Sequence, residues 1–216
     1  MRIGIVGGTG DIGEGMALRL AQFYDVIVGS REKEKAEASC EFSIGMLKKR
    51  GTKCSLAGVS NQTAVDDGDI IILAIPFKHL NGTLETLHGF ENKIVVSPVN
   101  PMEKRDFFEF VPPPEGSAAL MVKRILPKSA RVCSAFNTIA ANKWRALDES
   151  FTYSVPVCGD DIEAKHRVMG VVNRISNLQA FDAGPLAVSS LVESLTPLLL
   201  NIARYNRLKD VGIQFH

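Results

Sequence analysis

The chain has 216 residues, 45% of them hydrophobic and 23% charged, with a formal net charge of +1. That balance belongs to an ordinary folded domain, and it leaves no global charge for nucleic acid or an anionic membrane, so neither is expected as a partner. Cys40, Cys54, Cys133 and Cys158 lie far apart with no Cys-x-x-Cys pair, which argues against a metal or disulfide framework and for buried thiols.

The sequence starts on an apolar strand pattern at residues 3–6. No signal-type segment is evident and no apolar run reaches about 18 residues, so a cytoplasmic protein is expected. Short β-branched runs then recur at residues 26–28, 70–73, 94–96 and 131–134, with a weaker one at 54–57. Helical patterns fall between them at 13–22, 32–49, 78–87 and 117–125. This alternation predicts an α/β fold of Rossmann type: a doubly wound, mainly parallel sheet with helices on both faces. Continuous runs such as "DIIILAIP" suit strands buried on both sides. "FVPPPEG", residues 110–116, reads as irregular because consecutive prolines fit neither a central strand nor a helix interior.

After about residue 150 the texture changes. "SVPVCGDDIEAKHRVMGVVNRI" reads as a strand and a helix with an acidic start at Asp160 and Asp161. "LQAFDAGPL" reads as a last strand and turn, and "AVSSLVESLTPLLLNIARYN" as a long helix apolar on nearly all sides. Such a helix is expected to be buried, inside the fold or at a subunit interface. The division expected is residues 1–150 as an NADP-binding Rossmann domain and 151–216 as a small C-terminal α/β lobe that completes the second coenzyme's site and contributes a dimer contact.

Gly8-Thr9-Gly10-Asp11-Ile12-Gly13 matches G-x-G-x-x-G, between the first strand and the first helix. That setting predicts a dinucleotide site, with the pyrophosphate at the helix N-terminus. At the end of the second strand an Asp or Glu would receive the ribose hydroxyls of a cofactor without a 2′-phosphate. Ser30 and Arg31 stand there instead, with Lys35 four residues after Arg31. A hydroxyl and two cations suit a phosphate dianion, so NADP is expected rather than NAD. The loop "AIPFKHL" after the fourth strand places Ile75 and Pro76 along the ribose or nicotinamide and turns His79 toward the cofactor, as a contact and not as an acid.

"GGTGDIG", "GSREKEKAEA", "IVVSPVNP", "VPVCGDDIEAK" and "DAGPLAVSSLVESLTPLLLNIARYN" together resemble the F420-dependent NADP reductase family over nearly the whole chain. The resemblance implies direct hydride transfer between NADP(H) and the deazaflavin coenzyme F420, positioned by the protein with no catalytic acid or base. It implies a phosphate loop of Thr9, Gly10, Asp11 and Ile12, and the same 2′-phosphate set of Ser30, Arg31 and Lys35. Ile75, His79 and Asn100 would approach the ribose and nicotinamide, Ala141 would back the nicotinamide ring, and Val211 would close the pocket. A deazaflavin pocket is expected at Asn137, Thr138, Ile139 and Ala140. Where some members read His-Thr-Ile-Pro, this chain has Asn137-Thr138-Ile139-Ala140. Residues 135–138 are also similar to the cytosolic domain of membrane ferric reductases, which pair NADPH with a flavin. The small Ala140-Ala141 pair leaves room for two stacked rings, or marks close helix packing. The alternatives are an NADPH-dependent flavin or imine reductase of the same fold, and a non-enzymatic NADP-binding redox sensor.

Overall fold

The computed structural model describes residues 1–149, 151–209 and 211–216. Eight strands form one sheet in the order β10-β9-β8-β5-β4-β1-β2-β3. They are β1 (Arg2–Val6), β2 (Asp25–Ser30), β3 (Ser55–Ser60), β4 (Ile70–Leu73), β5 (Ile94–Ser97), β8 (Arg131–Ser134), β9 (Tyr153–Gly159) and β10 (Leu178–Gly184). All neighbours are parallel except β8 and β9, which pair antiparallel through Cys133↔Gly159 and Ser134↔Cys158. The expected doubly wound, mainly parallel sheet is therefore what the chain forms. From β3 the chain crosses to β4 on the far side of β1, so a crevice opens beyond the carboxyl ends of β1 and β4, where this topology binds ligands.

Alternation along each strand explains the continuous apolar runs. Ile70 and Ile72 enter one core with Met16, Leu20, Cys40, Trp144 and Val172. Ile71 and Leu73 enter another with Leu80, Leu84, Ala118 and Val122. Successive residues of a strand point to opposite faces, so a strand covered on both sides needs apolar residues at every position. The helices behind these contacts are α1 (Asp11–Leu20), α2 (Lys33–Lys49), α3 (Asn61–Asp67), α4 (Phe77–Leu84), α5 (Ala118–Ile125), α6 (Ala141–Arg145) and α7 (Ile162–Arg174). Burial raises the Cys133 thiol to about 12 and those of Cys40 and Cys158 to about 11.

Two helices and a hairpin lie outside the sequence expectations. α3 is short, has its N-terminus capped by the Ser60 hydroxyl, which accepts the Thr63 N–H at 3.1 Å, and packs under β1. α6 buries Trp144 against Gly15 of α1. A hairpin of β6 (Met102–Lys104) and β7 (Phe108–Phe110) leaves the loop after β5. Asn201 holds this hairpin, accepting the Phe108 N–H at 2.8 Å and donating to the Phe108 carbonyl at 2.7 Å.

The last helix, α8 (Ser189–Asn206), corrects the expectation of all-round burial within the chain. Ser189, Val192, Glu193 and Pro197 are buried, whereas Leu191 is 68% and Tyr205 67% exposed, and Leu198 and Ile202 are also exposed. With the preceding 3-10 turn it forms a 21-residue segment, Leu186–Asn206, of mean hydropathy 1.5, long and apolar enough by length and composition to cross a membrane. Ser189, Glu193, Thr196 and Asn201 interrupt it, so it is not an unbroken apolar run. Its buried face is anchored by polar ties: the Glu193 carboxylate accepts the N–H groups of Ala118 and Ala119 at 2.7 and 3.0 Å. The expected division at residue 150 falls on Ser150, outside the described residues. β9 and β10 continue the sheet of the first part, and Val155 and Val168 share a core with Ile3 and Val26.

Candidate functional site

The glycine loop is built by backbone geometry. Gly7 has φ +73°, a conformation that side chains rarely adopt. Its N–H donates to Asn61 Oδ1 at 3.0 Å, and the Gly8 N–H donates to the Gly29 carbonyl at 2.8 Å. A Cβ on Gly8 would meet Val28 Cγ1 at 2.8 Å, and one on Gly13 would meet Gly8 Cα at 2.6 Å, so these two glycines let α1 lie close on the sheet. Gly10 differs. A Cβ there would meet only the Gly7 carbonyl, at 3.5 Å, so packing within the chain does not require glycine at this position. Gly10 is also the N-cap of α1, which has no side-chain cap. The first turn of α1 thus turns open backbone and the positive end of its dipole outward, a setting for phosphate. Asp11 and Glu14 in that turn are both paired with Arg145 of α6, Asp11 at 3.2 Å, which offsets their negative charge.

A cavity of about 720 Å³ opens in front of this turn. Gly10, Asp11, Ile12, Ile75, Asn100 and Ala141 line it, bringing together residues from the ends of β1, β4 and β5 and from the start of α6. Its size lies within the range of ligand and cofactor sites. Phe77, Val99, Met102 and Glu103 complete the walls, so the unforeseen hairpin covers one side. Beside it a cavity of about 490 Å³ is lined by Ser30 and Arg31 at the end of β2, by Asn61 at the start of α3, and by Lys78, His79 and Thr83 of α4. Thr9 links the two regions, its hydroxyl 3.5 Å from Ser30 Oγ. Ser30 is buried and accepts the Glu32 N–H at 3.2 Å, and Arg31 is exposed with no ion-pair partner among the described residues.

Other expected site residues are placed differently. α2 starts at Lys33, so Arg31 precedes the helix and does not share a helical face with Lys35. Lys35 pairs with Glu32 at 2.7 Å and is not among the residues lining the second cavity. Val211 is half-buried in a tail whose Ile213 carbonyl accepts the Ser154 N–H at 2.8 Å, and it does not line the large cavity. Asn137, Thr138 and Ile139 are buried and Ala140 is the exposed N-cap of α6; none of the four lines that cavity. Asn137 is a tie between loops. Its Nδ2 donates to the Val99 carbonyl at 3.2 Å, its Oδ1 accepts the Ser134 hydroxyl at 3.1 Å, and its carbonyl accepts Asn100 Nδ2 at 2.9 Å and Thr196 Oγ1 at 2.7 Å. Phe136, with φ +67°, turns the chain sharply into this knot. The Ser97 and Thr138 hydroxyls are buried there without a hydrogen-bond partner among the described residues.

The C-terminal motifs are mostly such ties. Asp161 caps α7, Asp160 Oδ1 accepts the Leu186 N–H at 3.0 Å, and Lys165 pairs with Asp182 at 2.7 Å. Lys165 and the Gly184 N–H hold the Asp182 carboxyl below its ordinary value. Sequence reasoning missed Asn61, Lys78 and the hairpin residues, whose local signal was only their place after a strand.

Comparison with known proteins agrees with this architecture. The family model described as "NADP oxidoreductase coenzyme F420-dependent" matches residues 2–101. An F420-dependent NADP reductase of Methanocaldococcus jannaschii is 38% identical over 99% of this chain and 97% of its own length. The enzyme of that name from Methanothermobacter marburgensis is 29% identical, with the same shares of the two chains covered. A crystal structure from an Arthrobacter species, described as a candidate F420-dependent NADP reductase, superposes with a TM-score of 0.81 at 20% identity, over 100% of this chain and 99% of its own. With full-length identity at that level, joined to an open glycine loop and a large crevice, the chain belongs to the F420-dependent NADP reductase family.

Proposed function

We infer that the protein transfers hydride between NADP(H) and coenzyme F420. The observation that carries this reading is the open backbone at Gly10 leading into the 720 Å³ cavity, in a chain of this family. The pyrophosphate fits the uncapped start of α1, where a Cβ at Gly10 would make only an ordinary contact with the Gly7 carbonyl. Ser30 and Arg31 receive the 2′-phosphate from the neighbouring cavity, with His79 beside them. Ile75, Asn100 and Ala141 would then border the nicotinamide, and the rest of the cavity, which Phe77, Val99 and Met102 also line, would take the second ring system.

When bound, the two coenzymes supply the hydride donor and acceptor carbons. The chain holds them in register and keeps water out. Orientation of this kind is worth up to about 7–11 kcal/mol where reacting atoms are held at close contact. Ile75, Phe77, Val99 and Met102 make the cavity largely apolar, which suits that task. No side chain is assigned as an acid or base. The test is turnover: NADPH should bleach the visible absorbance of F420, and reduced F420 should reduce NADP.

The same reading includes a cytoplasmic homodimer. Leu191, Leu198, Ile202 and Tyr205 leave an apolar face on α8 that a second copy would cover. Sedimentation at micromolar concentration is expected to give twice 23.5 kDa; a 23.5 kDa species would reject the dimer.

A further inference from the structure

We propose that Lys78 is a specificity-determining residue for the dinucleotide, reaching the 2′-phosphate from the start of α4; this rests on the NADP reading above. Lys78 lines both cavities and so stands at their junction. It lies in the first turn of α4, next to His79, and α4 follows β4, which β1 separates from β2 and Arg31 in the sheet. Among the described residues no aspartate or glutamate lines that cavity, whereas Arg31, Lys78 and His79 all do. Hydroxyls of Ser30, Ser60 and Thr83 share the space. Cations and hydroxyls without a carboxylate make a binding surface for a dianion, and the 2′-phosphate is the group that separates NADP from NAD.

The position of Lys78 is otherwise unfavourable. The first turn of α4 contains no acidic residue, and a cation there opposes the helix dipole. Among the described residues its ammonium group makes no ion pair, in contrast to Lys35, which Glu32 holds at 2.7 Å. Lys78 is exposed, so its flexible stem can follow the phosphate without disturbing the core below, where Leu80 is buried.

The experiment is calorimetric titration of the full chain with NADPH, NADH, adenosine 2′,5′-bisphosphate and 5′-AMP. Lys78→Met keeps most of the stem and removes the charge. It should weaken NADPH and the bisphosphate by roughly tenfold to a hundredfold, the loss of one charge-assisted bond. NADH and 5′-AMP should change by less than about threefold, since no charge-assisted bond to them is lost. Arg31→Ala should give the same pattern, and Lys78→Arg should restore most of the bisphosphate affinity. Equal losses for NADPH and NADH, or no loss for either, would overturn the proposal. A wild-type protein that shows no preference for NADPH would overturn the NADP reading and this proposal with it. Retained NADPH preference without F420 turnover would reject only the deazaflavin assignment and leave Lys78 in its role.

Discussion

The two ends of the crevice are built by different means. At the phosphate end, Gly7 to Gly13 and Ser30 to Arg31 are close in sequence, and the geometry is mostly backbone: a positive φ, a tight turn and a helix start. At the ring end, Ile75, Asn100, Met102 and Ala141 come from separate loops. That end keeps its shape through long-range ties, with Asn137 joining the loops after β5 and β8 and Thr196 of α8 bonding the Asn137 carbonyl. A site made of local backbone should fail at single positions with the fold intact. A site made of assembled loops should respond to bulk at its wall and to the anchors behind it.

The largest expected effect is at the phosphate end. Gly10→Val should remove NADPH binding by at least about a hundredfold, because the branched side chain would occupy the pyrophosphate's approach. Its Cβ meets only the Gly7 carbonyl at 3.5 Å, so circular dichroism should report an intact fold. Undiminished affinity by calorimetry would mean that this loop only turns the chain.

At the ring end, Ala141→Phe sharpens the contrast. The new ring would fill the cavity beside Ile12 and Asn100, and hydride transfer should fall by at least about a hundredfold, the scale of misplaced reacting atoms. NADPH affinity should change only a few-fold, since the phosphate contacts lie elsewhere. Equal loss of binding and turnover would place the nicotinamide away from Ala141.

The smallest effect concerns the anchors. Burial pushes the Glu193 carboxyl up from 4.5 to about 7, against the Ala118 and Ala119 N–H groups that favour its charged form. Its folded-state value lies above the unfolded one, so the folded chain holds this proton more tightly. The stability it contributes is complete below 4.5 and is lost as pH rises through about 7. The melting temperature should therefore rise as pH falls from about 8 to about 5, and Glu193→Gln should flatten that slope. An unchanged slope in the variant would assign the pH dependence to other groups.

Legibility follows the same division. β4 and β5 were readable because strands covered on both faces need unbroken apolar runs, and the glycine loop because backbone demands restrict residue type. α3 was not: in seven residues only Asn61, Ala64 and Val65 are buried, too few to show a helical period. The β6–β7 hairpin carries exposed or half-buried residues throughout, so no alternation marks it. For α8, composition counts apolar residues without showing which of them the chain itself covers, so it does not separate burial inside the fold from burial at a subunit interface. Asn61 and Lys78 come from the starts of α3 and α4, and neighbours in sequence give no sign that both line one cavity.

In the proposed function, one crevice holds NADP at its backbone end and a deazaflavin at its assembled end. Its most direct test is turnover of the purified protein with NADPH and F420, beside FMN and FAD under the same NADPH supply. The expected result is bleaching of F420 matched mole for mole by NADPH oxidation, reversal with reduced F420 and NADP, and negligible flavin turnover. Fast reduction of FMN or FAD with F420 left unbleached would contradict it.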